Sequence, residues 1–350
     1  MKKRVFKSKS LLLSLLLIVT VSFSLSAQDA RKEYSDNYDV SKGVTLITDT
    51  KYSDVELITW DKSNVDILAV VEVDASSQNR AEEALKKVDI QIGKSGNNIT
   101  VVTEMENGWS RNVKTSIKIT IKAPAWVNLD LESSYGDLFI QEATGLVQVD
   151  LKYGNLKVGT LSRGNEKPYS VIDMAYSDGV IDAAGWLEVE VSYSDMEINL
   201  SKMLFVDSKY SKLLGEKAGG IITDGMYDKY YFDEVDSFVA ELKYSGLKFG
   251  KLNKTLGLES AYTNAKIGTL GNSFDEVDAE LSYGNLTMGL EQGASFKFEG
   301  EAKYGSVNIS SGDRLSKTKE NNYMRVWGNV GSNPKSTIHV ITKYGNSTFE

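Results

Sequence analysis

The chain has 350 residues, 48 acidic against 40 basic, a net charge of −8, one histidine and no cysteine. The missing cysteine excludes disulfides, thiolate zinc sites, iron–sulfur clusters, thiol nucleophiles and the lipoprotein anchoring route. The acidic balance disfavours nucleic acid and anionic lipid as partners.

Residues 1–27 differ from the rest. "MKKRVFKSK" is basic, "LLLSLLLIVTV" is apolar and "SFSLSA" supplies small residues for cleavage after Ala27. This layout predicts a secretory signal peptide, and hence an exported protein of the periplasm or outer cell surface. Removing its five basic residues (Lys2, Lys3, Arg4, Lys7, Lys9) leaves a net charge of about −13. No other segment has the apolar length of a membrane-spanning helix, so no span is expected after signal removal.

Residues 28–134 read as an N-terminal section that covers the open end of a repeat region beginning at residue 135. "KSNVDILAVVEVDA" is a strand. "KVDIQIGKSGNNITVVTEM" is a hairpin turning near Ser95–Asn98, and "SIKITIKAP" is a strand stopped by Pro124. Between them "QNRAEEALKKV" has helical periodicity and predicts one short helix at about 78–88.

In the repeat region, aligning on one tyrosine gives Tyr135, Tyr153, Tyr176, Tyr193, Tyr210, Tyr227, Tyr244, Tyr262, Tyr283, Tyr304 and Tyr344, with an earlier copy at Tyr52. From Tyr135 to Tyr304 the spacing is 17–23 residues. With the tyrosine as position 0, apolar residues fall at −6, −4, −2, 0, +3 and +5, as in Leu187, Val189, Val191, Tyr193, Met196 and Ile198. Period-two alternation marks a strand with one buried face, and the change of parity after the tyrosine marks a corner. Gly or Ser at +1 and Asp or Asn at +2 suit that corner, because Gly and Asn reach left-handed angles cheaply.

A unit of two short strands cannot bury its apolar face alone, whereas a stack of units can. The fold expected is all-β: a single-stranded parallel β-solenoid (β-helix or β-roll) of 17–23-residue coils over 135–350, with the β-rich N-terminal cap. The tyrosines are expected to form an internal corner ladder, one ring per coil. A polar loop insertion is expected at about 311–336, with a small hairpin around Tyr323–Val330.

The stretch "IKAPAWVNLDLESSYGDLFIQEATGLVQVDLKYGNLKVGTL", residues 121–161, resembles the putative-adhesin domain of exported bacterial proteins, and the signal ending "SAQ" resembles those of Bacteroidetes. The resemblance extends over most of 45–350. It implies a β-solenoid and an envelope location and carries over no catalytic residues. The tyrosine at the bend departs from the family pattern, in which Ser, Thr or Asn is usual.

Candidates for chemistry are few. His339, at −5, faces outward on the last strand, and neither a nucleophile elbow nor a P-loop or dinucleotide fingerprint is present. The corner carboxylates Asp137, Asp178 and Asp195 lie at +2; Asp178 and Asp195 are expected one rung apart, where turn chemistry is the first reading and a Ca²⁺ site the second. Lys51, Lys152, Lys209, Lys243, Lys303 and Lys343 form an outward column at −1. Trp109 and Trp327 are the ligand-contact candidates, and no other cofactor is indicated.

The function expected is a non-enzymatic, adhesin-like envelope module that presents a rigid repetitive surface to glycan or protein. The alternatives are a polysaccharide-acting β-helix enzyme and a periplasmic scaffold or signalling partner.

Overall fold

The computed structural model describes residues 29–106, 113–310 and 315–350. The expected signal segment and Trp109 lie outside them. The described residues are almost entirely strand, with one helix at Gln78–Leu85.

The strands stack as parallel rungs, each built around one tyrosine. An arm leads into the tyrosine and a second arm leaves it. Leading arms Thr45–Lys51, Asn128–Ser134, Val147–Lys152 and Ser170–Ala175 pair in succession, and so do trailing arms Asp54–Thr59, Leu138–Ala143 and Asn155–Leu161. Between residues 178 and 261 the trailing arm of one rung runs without a break into the leading arm of the next. Five strands, Asp178–Ser192, Asp195–Lys209, Lys212–Met226, Lys229–Lys243 and Gly246–Ala261, therefore pair along nearly their whole length. The register is residue for residue: Asp178 lies opposite Asp195 and Ser192 opposite Lys209.

Between the two arms lies one continuous core of Leu, Ile, Val, Ala and Phe. Within a rung, Leu187, Val189 and Val191 point inward from the leading arm and Met196 and Ile198 from the trailing arm. Burial of that apolar surface, at ~25 cal/mol per Å², is the main drive to stack.

Both ends are closed by antiparallel strands. At the start, the hairpin Val88–Ser95/Asn98–Met105 extends the leading arm, and Asp29–Asp39, Asn64–Ala75 and Val113–Ala123 extend the trailing arm. The helix packs on Asn64–Ala75 and Asp29–Asp39 through buried Ala81 and Ala84. At the other end the expected loop insertion forms a hairpin, Leu315–Glu320/Tyr323–Val330, whose second strand pairs with Phe296–Lys303. The outermost strands carry charges, DARKEYSDNYD and LSKTKE, which discourage edge-to-edge pairing.

The order of stacking departs from the order of the chain at one place. The last repeat in the sequence is not the last rung: Ser336–Lys343 lies between Glu276–Ser282 and Phe296–Lys303, parallel to both. The chain passes one rung, builds the end hairpin, and returns to fill the space it left. Deleting residues 336–350 is therefore expected to lower hydrogen-exchange protection in both 276–282 and 296–303, each of which keeps only its other neighbour. Chain-order stacking would leave the protection of 276–282 intact, and that result would contradict the intercalation.

Candidate functional site: the tyrosine corner and its flanking columns

The expected interior position of the tyrosines is overturned. All twelve are 43–56 % exposed. The left-handed residue of each corner is also not the Gly or Asn at +1 or +2. It is the tyrosine, with φ between 52° and 63° in every copy. A left-handed turn at one residue reverses the alternation, so the ring faces solvent and the +1 side chain faces the core. For a non-glycine residue this conformation costs roughly 1–2 kcal/mol.

Two interactions offset that cost. Eleven of the twelve tyrosine amides donate to the −1 carbonyl of the neighbouring rung, as in Tyr193 N–H to the Lys209 carbonyl at 3.0 Å, and the twelfth, Tyr304, donates to the Asn322 carbonyl of the end hairpin. Each ring also stacks on its neighbours. From Tyr52 through Tyr135, Tyr153, Tyr176, Tyr193, Tyr210, Tyr227, Tyr244, Tyr262 and Tyr283 to Tyr344 and then Tyr304, centroids lie 4.7–5.1 Å apart and planes within 14°. An aromatic pair contributes about 0.5–1.5 kcal/mol beyond its area. The ring faces cover one another, so the column shows the outside its edges and hydroxyls.

Beneath the rings runs a second, buried column at +1. Gly154 N–H donates to Ser177 Oγ, Ser177 N–H to Ser194 Oγ and Ser194 N–H to Ser211 Oγ, at 3.1–3.3 Å. The series continues through Asp228 and Ser245 to Thr263. Each hydroxyl of this column donates to the carbonyl two residues before it, so these +1 hydroxyls are satisfied. Where backbones approach more closely the residue is glycine: a Cβ at Gly284 would lie 1.9 Å from the Thr263 carbonyl oxygen.

Asp228 is the charged member of this column and is 1 % exposed. Its carboxylate accepts from Ser211 N–H at 2.7 Å and from Ser208 Oγ at 2.9 Å. Ser208 in turn meets the Tyr230 hydroxyl at 2.5 Å, and Tyr230 meets Thr223 at 3.0 Å. Burial pushes the Asp228 carboxyl upward, opposed by these donors, and holds the Tyr230 phenol far above its ordinary range. Gly225 makes the room, since a Cβ there would sit 2.2 Å from the Tyr230 hydroxyl.

Outside, the +2 residues bridge rungs. Asp137 Oδ1 accepts from both nitrogens of Asn155, and Asn264, Asn285 and Asn346 repeat the pattern. Asp178 and Asp195 are register neighbours, and Asp195 accepts from Lys212 Nζ at 3.3 Å. Among the described residues no group of three His, Cys, Asp or Glu side chains is arranged to hold a metal ion. Trp327 stands on the end hairpin beneath Arg325, whose guanidinium carbon is 5.4 Å from the ring centroid. His339 has a partner that its isolation in the sequence concealed: Nδ1 lies 2.9 Å from Asp278 Oδ1.

Two outward features were not read from the sequence. The first is a carboxylate column at −3. Asp49, Glu132, Asp150, Asp173, Glu190, Asp207, Asp224, Glu241, Glu259 and Glu280 are successive register partners. Lys152 and Lys243 from the −1 column neutralise Asp150 and Glu241 at 3.0 and 2.6 Å. Asp173 and Glu190 have Ala175 and Ser192 at −1 instead. Desolvation first, then the neighbouring carboxylates, raise the pKa of both. The second is an aromatic cluster on the leading-arm face, where Tyr169 stacks on Trp186 and Phe205 at 5.6 and 5.2 Å. It continues into exposed Ile222 and Val239.

No family model matches the chain, and neither does any curated protein. Solved structures similar to it include a "putative adhesin" from Parabacteroides merdae (12 % identity, 91 % of this chain and 96 % of that one, TM-score 0.32). A "putative adhesin" from Bacteroides fragilis (12 %, 91 % and 97 %, 0.27) and a "putative lipid binding protein" from Parabacteroides distasonis (11 %, 91 % and 96 %, 0.30) are also similar. At these identities and scores no residue role transfers, and function rests on this chain's own surface.

A carboxyl whose folded pKa is raised contributes stability that is present below its unfolded pKa and lost as pH rises through the folded value. Glu190→Gln is therefore expected to raise Tm relative to the parent at pH 7 and to leave it unchanged at about pH 3.5. A Tm gain of the same size at both pH values would show that the column exerts no charge strain at this rung.

Proposed function

We propose that the chain is an exported β-solenoid acting as a non-enzymatic, adhesin-like binding module of the cell envelope or surface. The observation that carries this reading is the unbroken column of twelve exposed tyrosines, held in register between lysine and Asx columns. Such a surface repeats one chemical pattern at every rung, which suits a long partner engaged at many weak points. The signal-like N-terminus supports export, and among the described residues no helix is long and apolar enough to cross a membrane.

The partner proposed is a neutral glycan or a protein surface, because the carboxylate column repels anionic polymers. Ring faces for stacking on sugars come from the Tyr169–Trp186–Phe205 cluster and from Trp327, while the ladder contributes hydroxyls. The one histidine pairs with an exposed carboxylate on a sheet face instead of orienting a nucleophile, which supports binding over catalysis.

The test is binding of the exported form to an array of envelope and host glycans, with and without Ca²⁺. Saturable binding is expected, reduced at least tenfold in Trp186→Ala or Trp327→Ala and retained without Ca²⁺. Ca²⁺-dependent binding lost in Asp178→Asn would move the site to the corner carboxylates. Absence of binding in both conditions would sink the glycan reading and leave a protein partner.

A further inference from the structure

We infer that the tyrosine ladder is a site of oxidative modification, at which neighbouring rungs are joined by dityrosine bonds when a peroxide and a haem peroxidase are supplied. Three observations converge on it. The rings are parallel neighbours at 4.7–5.1 Å along the whole stack. Their edges are open to solvent, so an oxidant can reach the phenol and water can take its proton. The chain has no cysteine, so no thiol of its own competes for the oxidant or repairs a phenoxyl radical.

The chemistry balances. Each of two phenols gives one electron to the peroxidase and one proton to water, leaving two phenoxyl radicals. A carbon–carbon bond forms between ring positions ortho to the oxygens, and the two ortho hydrogens move to the oxygens to restore the phenols. The O–O bond of hydrogen peroxide is broken, and the net products are one dityrosine and two molecules of water. Bringing the two ortho carbons together needs a tilt of one ring, which a solvent-facing edge permits.

Geometry decides which tyrosines couple. A radical on Tyr193 has Tyr176 at 5.0 Å on one side and Tyr210 at 4.8 Å on the other. Their effective concentration exceeds that of any tyrosine on another molecule in dilute solution. Coupling therefore runs along the ladder within one chain, and its products staple rungs that are 17 or more residues apart in sequence. A protein that cannot form disulfides would gain covalent cross-links at its exposed corner.

The experiment treats the exported form of the protein, in dilute solution, with hydrogen peroxide and a haem peroxidase. The readouts are dityrosine fluorescence and mass mapping of joined peptides. The expected result is a monomer that has lost two hydrogens per link, with links between stack neighbours such as Tyr193 and Tyr210. A variant carries Phe at Tyr135, Tyr176, Tyr210, Tyr244, Tyr283 and Tyr304, which keeps every ring stacked but leaves the phenols of the ladder two rungs apart. Its circular dichroism and Tm are expected to match the parent, and its ladder links to disappear. The inference is overturned if links join different chains only, if urea-unfolded chain gives the same yield, or if the folded Phe variant keeps the parent's ladder cross-linking.

Discussion

Parallel, in-register pairing governs this molecule. When Asp178 lies opposite Asp195 and Ser192 opposite Lys209, every position of the repeat becomes a column, and whatever chemistry the position carries is multiplied along the stack. Attraction multiplies as readily as repulsion. At 0 the result is a stack of aromatic rings, at +1 a relay of hydroxyls, and at −3 a line of like charges spaced ~4.8 Å apart. Stability of the fold is therefore a sum of column energies, and the columns differ in sign.

The tyrosine column balances opposing terms. A left-handed backbone opposes a bulky residue at each corner, while the amide bond to the next rung and the ring stack oppose the strain. Glycine or asparagine would remove the strain and with it the ring, so retaining tyrosine spends backbone energy to hold aromatic edges at the surface. The carboxylate column at −3 is destabilising on its own, and Lys152 and Lys243 relieve it only locally. Asp228 shows the tolerance of the buried column. A carboxylate replaces a hydroxyl there because Ser208, Tyr230 and Thr223 complete a hydrogen-bond chain around it and Gly225 makes space.

Much of this was legible in the sequence. Alternation on either side of the tyrosine gave the arms, the parity break gave the corner, and the polar gap at 311–336 marked an interruption. The inside–outside assignment of the corner itself was not legible from alternation, because the positions −6 to −2 and +3 to +5 are compatible with either 0 or +1 facing the core. Composition held the missing signal: +1 is always a small residue or Asp228, the kind that fits where two backbones meet, whereas a ring at every rung would overfill that corner. Intercalation of the last rung leaves no local trace, since Ser336–Lys343 pairs equally well with either neighbour. The −3 carboxylates were visible one by one as ordinary surface charges and became a column only once register was known. Trp186 and Phe205, 19 residues apart, are brought together by the same register.

The most direct measurement is the urea-unfolding free energy of Tyr193→Phe, Tyr193→Gly and Tyr193→Val. A solvent-facing, left-handed tyrosine predicts that Phe matches the parent. Gly should lose about 1 kcal/mol or less, because strain relief offsets the lost stacking, and Val should lose at least about 1 kcal/mol more than Gly. A buried tyrosine in extended backbone would reverse the last two, with Val tolerated and Gly the most damaging, and that order would contradict the left-handed corner.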